Sequence, residues 1–385
     1  MPGMYARLLR PPESSIFLFG PRGTGKSTWI REHFPGAVTY NLLDTREALR
    51  LERDPHALYD ELRTLPADSW VVIDEVQKVP ALLDEVHNLI ESEHLRFVLC
   101  GSSARKLKRS GTNLLAGRAI VTEMFPLTSA ELGGDFDPSE VLVRGSLPLA
   151  VAGTDAQGFL SAYAMTYLNE EIRAEALTRN VGAFSRFLEV AARQNGQITN
   201  MTNISREAAV ARTTVQTYFD ILVDTLIGYW VPAWKLKHGT RHYLQSKFYL
   251  FDTGVARVLS GRIAYPPTAE ETGPLFEAML FNEVRAYLSY SGLRYQPHYW
   301  RTYDGTEVDF VCETREGFVG IEMKSTTDWL GRYGRGLSGL RDALSPAALK
   351  CYGVFRGART TMSGETEVLP VRQFLNRLWQ GSIIR

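Results

Sequence analysis

Short apolar runs punctuate the first third of the chain. Ile16–Phe19, Trp70–Ile73 and Phe97–Cys100 are continuous and each ends in a polar or Gly-containing segment, and Val38–Leu43 reads as a further strand. Such runs suit strands buried on both faces. Between them, Leu49–Leu65 carries charges spaced as on a surface helix, Ala81–Ile90 repeats apolar residues at helical spacing, and a helix is expected from Lys26. Strands alternating with helices predict an α/β fold, a doubly wound parallel sheet with right-handed crossovers.

The pattern changes after Phe125-Pro126. Gly133-Gly134 and Gly145 mark a linker, and about a hundred mostly helical residues follow. Ser185–Arg193, Met201–Ala209 and Thr213–Leu226 read as three helices, the last with Thr213-Thr214 as cap candidates. Two apolar segments, Tyr229–Trp234 and Phe248–Phe251, then flank a polar turn, which is the element order of a winged helix. Pro266-Pro267 and Gly273-Pro274 mark a second boundary, followed by a helix over Leu275–Tyr290 and strands over Val308–Cys312 and Phe318–Met323. The expected division is 1–155, 156–265 and 266–385, in keeping with a length of 385 residues.

Composition narrows the class. Hydrophobic residues make up 44% and charged residues 22%, as in an ordinary globular protein. The longest uncharged stretch, Ala156–Asn169, is 14 residues, short of the roughly 20 that span a bilayer, so no membrane partner is expected. Three widely spaced cysteines suggest neither a disulfide framework nor a zinc site, and a cytoplasmic location is expected. Lys+Arg and Asp+Glu are 43 each, so only the local distribution informs. Leu95–Ala119 and Tyr229–Arg262 are basic and Asp74–Glu93 is acidic, which permits nucleic-acid contact and equally suits solvated faces.

Gly20-Pro21-Arg22-Gly23-Thr24-Gly25-Lys26-Ser27 matches G-x-x-x-x-G-K-[ST] between a strand and a helix. Its backbone N–H groups suit phosphates, and the following helix adds the positive end of its dipole. Lys26 is expected to reach the β- and γ-phosphates of ATP and the Ser27 hydroxyl to bind Mg²⁺, with Thr28 completing the loop. Forty-eight residues after Lys26, Val71–Glu75 places Asp74 at a strand end, where it can hold Mg²⁺ through water, and Glu75 where it can polarise the attacking water. After the next strand come Ser102 and Ser103, candidate γ-phosphate sensors or plain turn residues.

FLFGPRGTGKST, YNLLD, WVVIDEVQKVP, CGSSARKL, LAGR and FPLTSAEL occur in this order, followed by RGSLPL, TTVQTYFDIL, FYLFDTG, FEAMLFNEV, GTEVDFV and IEMKS. In these motifs the chain resembles a large group of prokaryotic AAA-type ATPases with a C-terminal domain long catalogued as of unknown function. The resemblance implies an ATP-binding and hydrolysing module joined to a winged-helix region and a nuclease-like end. It also implies a homo-oligomer in which a neighbouring subunit donates an arginine to the γ-phosphate. Arg105 and Arg118 are the candidates, Arg118 in LAGR being preferred.

Asp309 in GTEVDFV, then Glu322 and Lys324 in IEMKS, look like a PD-(D/E)xK nuclease core of restriction-endonuclease-like α/β type. Asp309 and Glu322 are expected to share a second Mg²⁺ or Mn²⁺, and Lys324, two residues from Glu322 on the same strand face, to orient or deprotonate a water. A helix glutamate completes such sites; Glu277 is the closer match and Glu283 the other. In the middle region Arg212, Gln216 and Thr217 sit on the expected recognition helix with Asp220 and Asp224 against them, and the wing at Lys235–Lys247 is basic. Three functional expectations follow: an ATPase acting on nucleic acid, DNA favoured, with a coupled nuclease-like domain; a nucleotide-gated DNA- or protein-binding switch or scaffold whose nuclease-like domain is inactive; or a protein-remodelling ATPase with no nucleic-acid partner.

Overall fold

Strand β1 (Ile16–Phe19) lies at the heart of a sheet with β2 (Val38–Asn41), β3 (Trp70–Asp74), β4 (Arg96–Gly101) and β5 (Ile120–Glu123), in the order β2-β3-β4-β1-β5 with every pairing parallel. This computed structural model describes residues 5–101, 115–174, 180–235 and 245–385. Two compact units result: Arg7–Pro126 with Ile221–Ile227, and the described residues of Met1–Ala6, Leu127–Asp220 and Gly228–Arg385.

In the first unit, helices α1 (Lys26–His33), α2 (Thr45–Arg53), α3 (His56–Leu62) and α4 (Leu82–Ser92) connect the strands. Parallel neighbours require such crossovers. Phe17, Val71, Ile73, Phe97 and Leu99 are buried against Leu51, Leu58, Leu82, Val86 and Leu89. The single helix expected over Leu49–Leu65 is two helices. Asp54 ends α2, and Pro55, which has no N–H to continue the ladder, starts α3.

The second unit begins with helices α5 (Ser129–Leu132), α6 (Pro138–Arg144), α7 (Pro148–Ala152), α8 (Ala156–Ala174), α9 (Val181–Arg193), α10 (Met201–Ala208) and α11 (Arg212–Asp224), the last of which belongs to the first unit from Ile221 on. Asn180 caps α9 by accepting from the Ala183 N–H at 3.0 Å, four residues earlier than the sequence suggests. α11 starts at Arg212, so Thr213 and Thr214 lie inside it rather than capping it. β6 (Gly228–Val231) and β7 (Lys247–Leu250) pair antiparallel, and helix α12 (Thr253–Leu259) follows.

Two motifs without evident chemistry meet here. Asp252 of FYLFDTG caps α12 through the Val255 N–H at 2.9 Å and accepts the Ser146 N–H of RGSLPL at 2.7 Å. A Cβ on Gly145 would lie 2.0 Å from Asp252 Oδ1, and one on Gly254 2.3 Å from the Arg144 carbonyl, so both positions require glycine. Burial pushes the Asp252 carboxyl up to about 6, against the three backbone N–H groups that favour its charge.

Helix α13 (Ala269–Tyr290) runs through Gly273-Pro274, which the sequence reading took as a boundary. A capping box, in which Thr268 and Glu271 exchange hydrogen bonds, fixes its start upstream of the proline. β8 (His298–Arg301), β9 (Glu307–Thr314), β10 (Gly317–Lys324), β11 (Leu349–Phe355), β12 (Thr361–Ser363) and β13 (Thr366–Pro370) form a mixed sheet in the order β12-β13-β11-β10-β9-β8. Phe276, Met279, Leu280 and Val284 of α13 share a core with Phe310, Cys312, Val319 and Ile321. Helix α14 (Arg335–Leu344) packs Leu337, Leu340 and Leu344 with Val308, Val311 and Cys351, and α15 (Val371–Trp379) closes the chain. Among the described residues no helix is long and apolar enough to cross a membrane.

Candidate nucleotide site and C-terminal acidic cluster

The loop Gly20–Ser27 leaves β1 and enters α1 at Gly25. Gly23 and Gly25 take φ of 78° and 96°, the left-handed region in which a side chain is strained, so the tight wrap needs glycine at both. Lys26 is buried; its Nζ donates to the Gly20 carbonyl at 2.6 Å and the Pro21 carbonyl at 3.1 Å, which holds the ammonium inside the loop. The buried Thr24 hydroxyl donates to the Pro21 carbonyl at 2.9 Å. Arg22 and Thr28 are half-buried and Ser27 is exposed. Arg7, which sequence reasoning missed, fastens the loop from outside by donating to the carbonyls of Thr24 and Phe125, both at 2.6 Å.

The sheet register brings the other parts in. β4 lies between β1 and β3, with Phe19 paired to Gly101 and Asp74 to Cys100. The Cys100 thiol is pushed well above its ordinary value by burial first and by Asp74 next, with Lys26 opposing and Glu75 adding. Glu75 has a left-handed backbone, φ 59° and ψ 42°, uncommon for a residue with a Cβ. Its N–H donates to Asp74 Oδ1 at 3.1 Å, and its carboxylate accepts from the side chain of Gln77. Loop donors, an ammonium, an accessible hydroxyl and a strand-end carboxylate are the donor set a magnesium nucleotide needs. Ser102 and Arg105 lie outside the described residues. Arg118 pairs with Glu91 of its own chain and holds that carboxylate below its ordinary range, first by hydrogen bonding.

In the second unit the sheet brings Asp309, Glu322 and Lys324 together. Lys324 Nζ lies 2.5 Å from Glu322 Oε1 and 3.5 Å from Asp309 Oδ2, and Asp309 also accepts the Met323 N–H at 2.7 Å. Glu322 Oε2 is buried with no hydrogen-bond partner among the described residues. Burial, then Asp309, raises the Glu322 carboxyl well above its ordinary value.

Glu277 reaches the same region by a different partnership. Lys247 of β7 is buried, and its Nζ lies 2.8 Å from Glu277 Oε1 and 2.6 Å from Glu307 Oε1. Burial alone would lower this ammonium, but Glu277, Asp309 and Glu307 outweigh it and hold it above its ordinary value. Tyr249 donates to the same Glu277 oxygen, and burial pushes Glu277 up to about 7. Glu277 is therefore engaged by a lysine, and among the described residues no three acids or other ligands are grouped to hold a metal ion. Glu322 keeps one unpartnered oxygen beside Asp309, and Glu277, though held by Lys247, adds to the upward push on the Glu322 carboxyl.

Glu283, the other helix glutamate, has a structural role. It accepts from the Ser129 N–H at 2.6 Å, the Ser129 hydroxyl at 2.9 Å and Trp379 Nε1 at 2.8 Å. Lys247 is the main residue that sequence reasoning missed here: it opens the apolar run KFYLF, the one signal that it faces inward.

Three family models match successive parts of the chain: an AAA domain over residues 12–133, a Domain of unknown function (DUF8612) over 136–264 and a Domain of unknown function (DUF4143) over 272–374. With the loop and register above, they support an AAA-type P-loop ATPase followed by uncharacterised domains. No curated protein matches the chain. Among solved structures, the ORC2 protein of Aeropyrum pernix in its ADP form is 12% identical over 66% of this chain and 88% of that chain, with a TM-score of 0.34. A Signal Transduction ATPase with Numerous Domains from Pyrococcus horikoshii is 12% identical over 73% of this chain and 46% of that chain, TM-score 0.19. Can2 from Sulfobacillus thermosulfidooxidans, in complex with cyclic tetra-adenylate, is 10% identical over 96% of this chain and 100% of that chain, TM-score 0.24. These are distant likenesses.

Proposed function

We propose that this chain binds and hydrolyses ATP with Mg²⁺ and couples turnover to nucleic acid, DNA before RNA, through a nuclease-like C-terminal end. In this reading residues 1–155 carry the ATPase, 156–265 a winged-helix region and 266–385 the nuclease-like part. The observation that carries the ATPase is the register of three adjacent parallel strands, which pairs Phe19 at the start of the Lys26 loop with Gly101 and Asp74 with Cys100 at their carboxyl ends. Lys26 would contact the β- and γ-phosphates, Ser27 and, through water, Asp74 would hold Mg²⁺, and Glu75 would take the proton of the attacking water. Bound Mg²⁺ supplies charge neutralisation at the phosphate oxygens.

Arg118 fits the part of an arginine acting in a neighbouring subunit's site, exchanging its ion pair with Glu91 for phosphate. Mixing Arg118→Ala with Lys26→Ala subunits is expected to recover turnover that neither has alone. Turnover by a strict monomer at every dilution rules out the shared site.

Two features support the nucleic-acid half. Arg212, Gln216, Asn200, Trp230 and Gln245 line one cleft of about 520 Å³, a cation, amides and an indole suited to phosphates and base edges. The order α13-β8-β9-β10-α14-β11 sets Asp309 and Glu322 on adjacent strands with Lys324 beside both. Asp309→Ala is expected to abolish metal-dependent cleavage and Mn²⁺ binding while leaving ATP turnover largely intact, and Lys324→Ala to abolish cleavage alone. The assay is cleavage and DNA-stimulated ATP turnover on single-stranded, duplex and branched DNA. Cleavage that survives Asp309→Ala removes this site from consideration. The second reading, a nucleotide-gated switch with an inactive nuclease-like domain, is favoured by the engagement of Glu277 with Lys247, and a parent protein that binds DNA but cleaves none supports it.

A further inference from the structure

Gln77 follows Glu75 by two residues, in the short turn Val76–Lys78 that leaves β3. It is a polar side chain only 7% exposed. One end of its amide donates through Nε2 to the Glu75 carboxylate. The other end, Oε1, is buried with no hydrogen-bond partner among the described residues. That oxygen lies against the end of β4, where a Cβ on Gly101 would fall 2.4 Å from it and 3.2 Å from the amide carbon. Gly101 pairs with Phe19, the residue before the phosphate loop. The amide is thus wedged between the Glu75 carboxylate and the strand that separates the phosphate loop from Asp74.

Burying an amide oxygen with no partner among the described residues costs stability, and an apolar side chain of similar size would avoid that cost. The engaged half explains what is gained. A carboxylate on a left-handed backbone, with several side-chain torsions free, is a poor base unless its orientation is set. A neutral donor is the group suited to set it, because a cation would quench the charge and an acid would repel it.

We infer that Gln77 is a positioning residue for ATP hydrolysis: it aims the Glu75 carboxylate at the water and acts through Glu75 alone. The inference rests on the ATPase reading above and adds a residue that the phosphate-loop and strand-end motifs do not contain. Gly101 belongs to the same device, since only a residue without a side chain leaves room for the amide.

The test is steady-state ATP turnover and nucleotide binding for the full chain and for Gln77→Ala, Gln77→Glu, Glu75→Gln and the double variant Glu75→Gln with Gln77→Ala. Gln77→Ala is expected to lower kcat by roughly 10- to 100-fold, the scale of a misplaced catalytic group, with KM and ATP affinity nearly unchanged. Gln77→Glu keeps the volume, removes the donor and should be as slow. In the Glu75→Gln background, Gln77→Ala should add no further loss, because there is no carboxylate left to aim. A packing defect would instead weaken nucleotide binding and multiply with Glu75→Gln, and either result overturns the inference. So does full kcat in both single variants. A parent chain with no ATP turnover overturns the ATPase reading itself.

Discussion

Lys26→Ala is expected to lose ATP affinity by about 100-fold, near 2.7 kcal/mol, whereas Glu75→Gln is expected to bind ATP as the parent does and turn it over roughly 10²- to 10⁴-fold more slowly. The two differ because the two side chains do different work. Lys26 is a buried cation held by the loop's own carbonyls, 2.6 Å from that of Gly20 and 3.1 Å from that of Pro21. Its removal deletes the one ammonium inside the cradle and leaves those carbonyls without their donor. Glu75 lies at the strand end, and glutamine keeps its volume while losing the base. Binding measured by calorimetry and turnover by phosphate release separate the two effects. Turnover by Glu75→Gln at the parent rate would remove Glu75 from the role of base.

The second large effect is at Lys247. Lys247→Met is expected to cost on the order of 3–5 kcal/mol, the scale of breaking a buried ion pair from one side. The ammonium stands between Glu277 and Glu307, and methionine fills its volume without its charge. Denaturant unfolding reads the loss. Adding Glu277→Gln to Lys247→Met should recover part of it, because one uncompensated carboxylate disappears with its partner. The sign with pH follows from Glu277, whose folded carboxyl already lies near 7, above its ordinary 4.5. Without Lys247 it rises further, the folded state binds a proton that the unfolded state releases, and the variant's stability falls as pH climbs from about 5 through 7. A variant as stable as the parent at pH 7 would mean that the lysine's charge offsets nothing there.

The nucleotide loop is legible in the sequence because its chemistry is local. Gly20 to Ser27 are consecutive, the strand and helix flanking them have strong patterns, and Asp74 closes an apolar run. What decides the C-terminal cluster is not local. Asp309, Glu322 and Lys324 are close in sequence and their meeting on β9 and β10 is foreseeable from period two. Lys247 comes from a strand that reads only as the edge of a basic turn, and nothing in one sequence ties it to Glu277 thirty residues on. β11 to β13 pass unnoticed for a related reason: strands that begin and end among charges, such as Leu349–Phe355, leave weak patterns until their partners are known. Gln77 is visible in VVIDEVQK, but its contact depends on the left-handed turn at Glu75, which no propensity predicts. The motifs RGSLPL and FYLFDTG carry no evident chemistry in the sequence, and Asp252 seated against Gly145 and Ser146 accounts for them.

The Lys247 partnership also bears on how such a chain can be rearranged over generations. A break at 265/266, where two prolines make the sequence look divisible, separates a buried cation from the carboxylates of Glu277 and Glu307 that surround it. A C-terminal end transplanted alone carries uncompensated negative charge into any new host, and a middle region transplanted alone carries a lysine with nothing to neutralise it. Each part separated at that break is therefore expected to be less stable than the two together.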